Sequence, residues 1–205
     1  MEGVYNLPKR GPMKKLLFVN SCVLRETSRT NKIANALVTQ LEEQGSYEVE
    51  ELVLEDMDLR PLNSKTLAHR NDLLAKEAYG DPMFNLAHQF AEADVIVVAA
   101  PFWESSYPSL LKLYIEQVSV TGIVNRYTDH GPVGQCKAEK LYYVTTRGGF
   151  ATDEADCGWQ NIKGLCGVYG INSAECISVN ATDIPTTDVE KAVVDAIARI
   201  PELIG

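Results

Sequence analysis

The segment Val19–Asn35, VNSCVLRETSRTNKIAN, crowds hydroxyls, amides and arginines between an apolar run and an amphipathic stretch. The start of a helix presents unpaired backbone N–H groups and the positive end of the peptide dipole, so such a junction is a ready anion site. Ser21, Ser28 and Thr30 can add hydroxyl donors, and Arg25 or Arg29 a guanidinium. A helix cap needs only one such residue. Three hydroxyls and an arginine, added to the helix amides, fit a compact dianion such as a terminal phosphate. The loop holds no glycine, which removes the G-x-G-x-x-G and G-x-x-x-x-G-K-[ST] cradles. A Cys-x5-Arg phosphatase loop also fails by register: counting from Cys22 places Ser28 where the arginine belongs, and Arg29 follows one residue later.

Two further stretches have chemistry-bearing residues at the ends of apolar runs. In PFWESS, the adjacent Phe102 and Trp103 could flank a flat ring system. In TTRGGF, the paired Gly148 and Gly149 would let backbone approach a ligand closely. A phosphate site at one end and a planar-ring site at the other match the shape of flavin mononucleotide (FMN).

These loops must be held by a scaffold, and the patterning supplies one. Five apolar runs (KKLLFV, SYEVEELVL, DVIVVAA, KLYYVTT and SAECISV) alternate with segments of helical spacing. Ile33, Ala34, Leu37, Val38 and Leu41 mark one face of a helix beginning near Ser28–Thr30. Met83, Leu86, Ala87 and Phe90 mark another, as do Leu110, Leu111, Tyr114, Ile115 and Val118, and also Ile162, Leu165, Cys166 and Tyr169. The long polar connection from Glu55 to about Asp81 suggests only a short helix around Asp72–Ala78, and Thr187–Glu190 reads as a capping box opening the last helix. Alternating strands and helices imply an α/β fold: a doubly wound five-stranded parallel sheet of order 2-1-3-4-5, with helices on both faces. Ligands in such sheets sit beyond the carboxyl ends of the strands at the switch point, which selects Asn20–Asn31, Pro101–Ser106 and Thr146–Phe150.

Composition bounds the function classes. A net charge of −9 argues against a general nucleic-acid binder. Five scattered cysteines without a C-x-x-C pair point to free thiols in a reducing cytoplasm, not to a disulfide frame or a zinc site. No run approaches the ~18 apolar residues of a membrane span. Residues 1–12 lack a signal-peptide core and read as a flexible N-terminal arm ahead of one domain, 13–205.

Three segments, NSCVLRETSRTNK, PFWESSYPSLLKLYIEQVSVTGIVNRYTDHGPVG and YYVTTRGG, carry a resemblance to the flavodoxin-like NAD(P)H:quinone reductases, most closely to their FMN-dependent azoreductase branch. The resemblance extends from Met13 to the last helix. It implies an FMN phosphate held by Ser21, Ser28, Arg29 and Thr30. The flavin ring would be lined by Pro101, Phe102, Trp103, Glu104 and Ser105 and closed by Thr146, Arg147, Gly148, Gly149 and Phe150. It further implies NADH or NADPH as hydride source, two-electron ping-pong transfer to quinones, azo compounds or similar flat acceptors, and a homodimer whose interface forms the substrate pocket. Tyr127 would reach toward that pocket, and Tyr127 and His130 are the local candidates for proton donation. Glu104 replaces an expected asparagine; a carboxylate beside the ring would disfavour negative charge there and lower the reduction potential. QCKAEK replaces a glycine-lysine turn. A flavodoxin-type electron carrier serving a protein partner is the alternative, which the acidic charge would suit and the RYT…GP.G segment and residues 55–81 argue against.

Overall fold

The computed structural model describes residues 13–204, so the expected arm, residues 1–12, lies outside the described residues. Strand β1 (Lys14–Asn20) leads into helix α1 (Arg29–Gln44), β2 (Tyr47–Val53), α2 (Ser64–Ala75) and α3 (Asn85–Glu92). Next come β3 (Val95–Ala99), α4 (Ser109–Val118), and the short strands β4 (Asn125–Thr128) and β5 (Gly131–Gly134). The chain closes with β6 (Lys140–Thr146), α5 (Cys157–Tyr169), β7 (Ser173–Val179), α6 (Val189–Ala198) and α7 (Ile200–Ile204).

The main sheet is five-stranded and parallel, in the order β2-β1-β3-β6-β7. The expected label 2-1-3-4-5 did not count an antiparallel hairpin, β4–β5, that intervenes before β6 and forms a sheet of its own. All five residues of β3 are buried, as a central strand covered on both faces requires. One face packs Ile33, Leu37 and Leu41 of α1 with Val193 of α6 and Ile200 of α7. The other packs Phe90 of α3, Leu111 and Tyr114 of α4, and Ile162 and Tyr169 of α5.

Three local outcomes differ from the sequence expectation. Helix α2 begins at Ser64 because Asn63 and Thr66 form a reciprocal capping box: Asn63 Oδ1 accepts the Lys65 and Thr66 amides, and Thr66 Oγ1 accepts the Asn63 amide. Arg70 then docks α2 on the end of α4 by donating to the Glu116 carbonyl at 3.0 Å and to that of Ser119. The helix expected to open at Thr187 is α6, and it is capped by Asp188, not Thr187; the Asp188 carboxylate accepts the Lys191 amide at 3.0 Å. The β4–β5 hairpin is seated by contact of backbone on backbone. A Cβ on Gly134 would lie 2.0 Å from the amide nitrogen of Gly170, the left-handed C-cap of α5.

Candidate functional site

A cavity of about 320 Å³ opens where β1, β3 and β6 end at their carboxyl edge, a size typical of small-molecule sites. At one end stands the start of α1. Ser28 caps it: its hydroxyl accepts the Asn31 amide at 3.2 Å and its carbonyl the Lys32 amide at 3.0 Å. The amides of Arg29 and Thr30, first in the helix, remain without an intrahelical acceptor. Thr30 is fully buried, its hydroxyl 2.7 Å from that of Thr146. The loop needs no glycine because side chains shape it. Asn20 Oδ1 accepts the Cys22 amide, Asn31 Nδ2 donates to the Arg25 carbonyl, and Arg25 itself stands at φ 53.

Two residues of this loop do other work. Ser21 does not line the cavity; its buried hydroxyl donates to the Ala99 carbonyl at 2.8 Å and ties β1 to β3. Cys22 lines the cavity, but burial, outweighing an opposing hydrogen bond from Ser28, pushes its thiol up to about 11. It is neutral at physiological pH, so the loop holds no thiolate nucleophile.

At the other end, Phe102 is half-buried and Trp103 is 46% exposed, so neither is a core plug. Pro101, Phe102 and Trp103 line the cavity, and the Phe102 amide donates to the Thr146 carbonyl at 3.1 Å. Trp103 and Ser106 exchange backbone hydrogen bonds of 2.8 Å, closing a two-residue turn on Glu104 (φ 46) and Ser105 (φ 64). Both central residues sit in the left-handed region, as a type I′ turn demands, and neither lines the cavity. Asparagine adopts that conformation at lower cost than glutamate, which is a backbone reason to expect Asn at position 104. Replacing Glu104 by Asn and Ser105 by Gly should therefore raise stability by about 1 kcal/mol, read as a midpoint gain of roughly 2–4 °C in thermal unfolding. An unchanged or lower midpoint would contradict the strain.

The loop after β6 divides its residues between cavity and core. Thr146 and Gly148 line the cavity, whereas Arg147 is fully buried and does not, its guanidinium lying 6.0 Å from the centre of the Phe102 ring. Its guanidinium donates to Asp156 at 3.0 Å, Asp153 at 2.8 Å, the Ala151 carbonyl at 3.1 Å and Asn180 at 3.3 Å. Burial works against the charge, but Asp153 and Asp156 outweigh it and hold the pKa above its ordinary value. Asp156 also caps α5 by accepting the Trp159 amide at 2.9 Å. Arg147 thus pins both ends of the segment that carries Gly148, Gly149 and Phe150. Gly149 and Phe150 do not line the cavity, and Phe150 is 82% exposed.

Tyr127 and His130 lie on the β4–β5 hairpin, both exposed, and neither lines the cavity. The sequence reading also missed the loop after β7, which brings Thr182 and Asp183 to the cavity wall. The strand-end rule could have found it, since β7 is the parallel neighbour of β6. Val23, Leu24 and Thr27, all within the loop Asn20–Asn31 selected by the strand-end rule, complete the wall. Among the described residues, no helix is long and apolar enough to cross a membrane.

A family model described as "Flavodoxin-like fold" (Flavodoxin_2) matches residues 14–204. The FMN-dependent NADH:quinone oxidoreductase of Clostridium beijerinckii is 32% identical over 193 residues, which covers 93% of this chain and 98% of that one. An azoreductase of known structure from Bacillus anthracis superposes with a TM-score of 0.81 at 21% identity, over 94% of this chain and 99% of that one. A second structure from the same species, an FMN-dependent NADH-azoreductase in complex with FMN, gives 0.78 at 18% identity, over 94% and 100%.

Proposed function

We propose that this chain, which belongs to the flavodoxin-like fold family, is an FMN-dependent NAD(P)H oxidoreductase that passes two electrons by a ping-pong cycle to quinones, azo compounds or similar flat acceptors. The observation that carries this reading is the single cavity wall that joins the start of α1 to Phe102 and Trp103. The residues suit the cofactor. Two open helix amides, the hydroxyls of Ser28 and Thr30, and Arg29 would hold the phosphate. Phe102 and Trp103, at the other end of the wall, would flank the ring. FMN when bound would supply the hydride-accepting and two-electron-donating chemistry. The chain's own part is to bind, orient and shield, and the neutral Cys22 is consistent with a site that needs no side-chain nucleophile.

Tyr127 (70% exposed) and Val133 (41% exposed) sit on the hairpin, outside their own cavity, and would serve the cavity of a second copy in a homodimer. Light scattering at micromolar concentration is expected to give twice the chain mass, and a fully active monomer would remove this role. The function itself is tested by the absorbance of the purified protein and by NADH and NADPH oxidation with menadione. Flavin bands near roughly 375 and 450 nm and turnover without a protein partner are expected. Flavin bands without turnover would favour the electron carrier, and absence of both would sink the reading.

A further inference from the structure

Asp183 brings a negative charge to the phosphate end of the cavity. It lines the same wall as Arg29, Thr30 and Gly148, and its place there is well held. The Asp183 amide donates to the Gly148 carbonyl at 3.0 Å, and the Thr182 amide donates to that of Arg147 at 3.0 Å. The carboxylate fills the space that glycine leaves open: its Oδ2 lies 2.3 Å from where a Cβ on Gly148 would stand. Its Oδ1 is 3.3 Å from Arg29 Nη1, which also donates to the Thr182 carbonyl at 3.1 Å. The other guanidinium of the loop is engaged as well, since Arg25 pairs with Glu55 and Asp56. Both arginines of the phosphate loop are thus matched by carboxylates before any anion arrives.

We propose that Asp183 sets the strength and selectivity of phosphate binding by competing with the ligand's phosphate for Arg29. The inference rests on the reading of this cavity as an FMN site. A monoester dianion entering beside Ser28 and Thr30 must share Arg29 with Asp183 and also meets the carboxylate's repulsion. Both effects act on the phosphate and not on the ring or the polyol chain, and both are screened by salt. The carboxylate therefore lowers the advantage of FMN over riboflavin and keeps the cofactor exchangeable.

Asp183→Asn preserves shape and packing against Gly148 while removing the charge, and the side chain is 77% exposed, so the fold should tolerate it. Flavin-free wild type and variant are titrated with FMN and with riboflavin, following quenching of flavin fluorescence at low and physiological ionic strength. The wild type is expected to prefer FMN. The variant should bind FMN roughly three- to tenfold more tightly at low salt, with riboflavin within about twofold and the gain shrinking as salt is added. An unchanged FMN-to-riboflavin ratio overturns the proposal while leaving the FMN site standing. Equal loosening of both ligands also overturns it, because Asp183 would then be accepting hydrogen bonds from the polyol chain. A wild type that binds both flavins equally removes the phosphate site and this proposal together.

Discussion

Replacing Arg147 by Met is expected to lower stability by about 3–5 kcal/mol, the cost of removing one partner from a buried ion cluster. The guanidinium is fully buried, as is Asp156, and Asp153 is half-buried beside it. Without Arg147, two carboxylates face each other in a poorly solvated space, and the Ala151 carbonyl and Asn180 lose a donor. Unfolding in urea should show the loss, and the thermal midpoint should drop by roughly 10 °C for a chain of this length. Neutralising the carboxylates in the same background (Arg147→Met with Asp153→Asn and Asp156→Asn) should recover part of it, because the uncompensated charge causes most of the damage. A loss below about 1 kcal/mol would mean that water already reaches the cluster. Any residual flavin affinity should fall for FMN and for riboflavin, since the segment disturbed carries Gly148 of the cavity wall.

The second large effect concerns that phosphate loop. Arg29→Ala combined with Thr30→Val is expected to weaken FMN by about 100-fold and riboflavin by no more than about threefold. Two hydrogen bonds to a charged group, at about 1.5–3 kcal/mol each, would allow more, but Thr30 already shares its hydroxyl with Thr146 and Arg29 is shared with Asp183. Valine keeps the shape of the buried threonine, so the change reads chemistry and not a cavity. Removing Arg29 also leaves Asp183 facing the phosphate without a counter-charge, which adds to the loss. Fluorescence titration with the two flavins checks the prediction. Equal loss of both, or no loss, would place the phosphate elsewhere.

Much of this molecule is legible without coordinates because local patterning records local burial. An unbroken apolar run such as VIVVA is what a strand covered on both faces requires, and 3.6-residue spacing such as Ile33–Leu37–Leu41 is what a helix on that sheet requires. The crowd of donors at the start of α1 is also local, since a helix terminus positions its own amides wherever it folds.

What the sequence by itself determined, then, is the alternation of strands and helices, the parallel sheet and the strand ends that meet at a cavity. The tertiary structure alone decided which loop residues face that cavity. Arg147 reads as a cavity residue in TTRGGF, yet carboxylates six and nine positions later draw it into the core. Glu104 reads as a neighbour of the ring, yet a turn with two left-handed residues sets it at the exposed rim. Asp183 is silent in the sequence because its partner Arg29 lies 154 positions away. Periodicity reports which side of an element is buried; the pairing of charges across loops depends on the order of the strands, and no local pattern carries it.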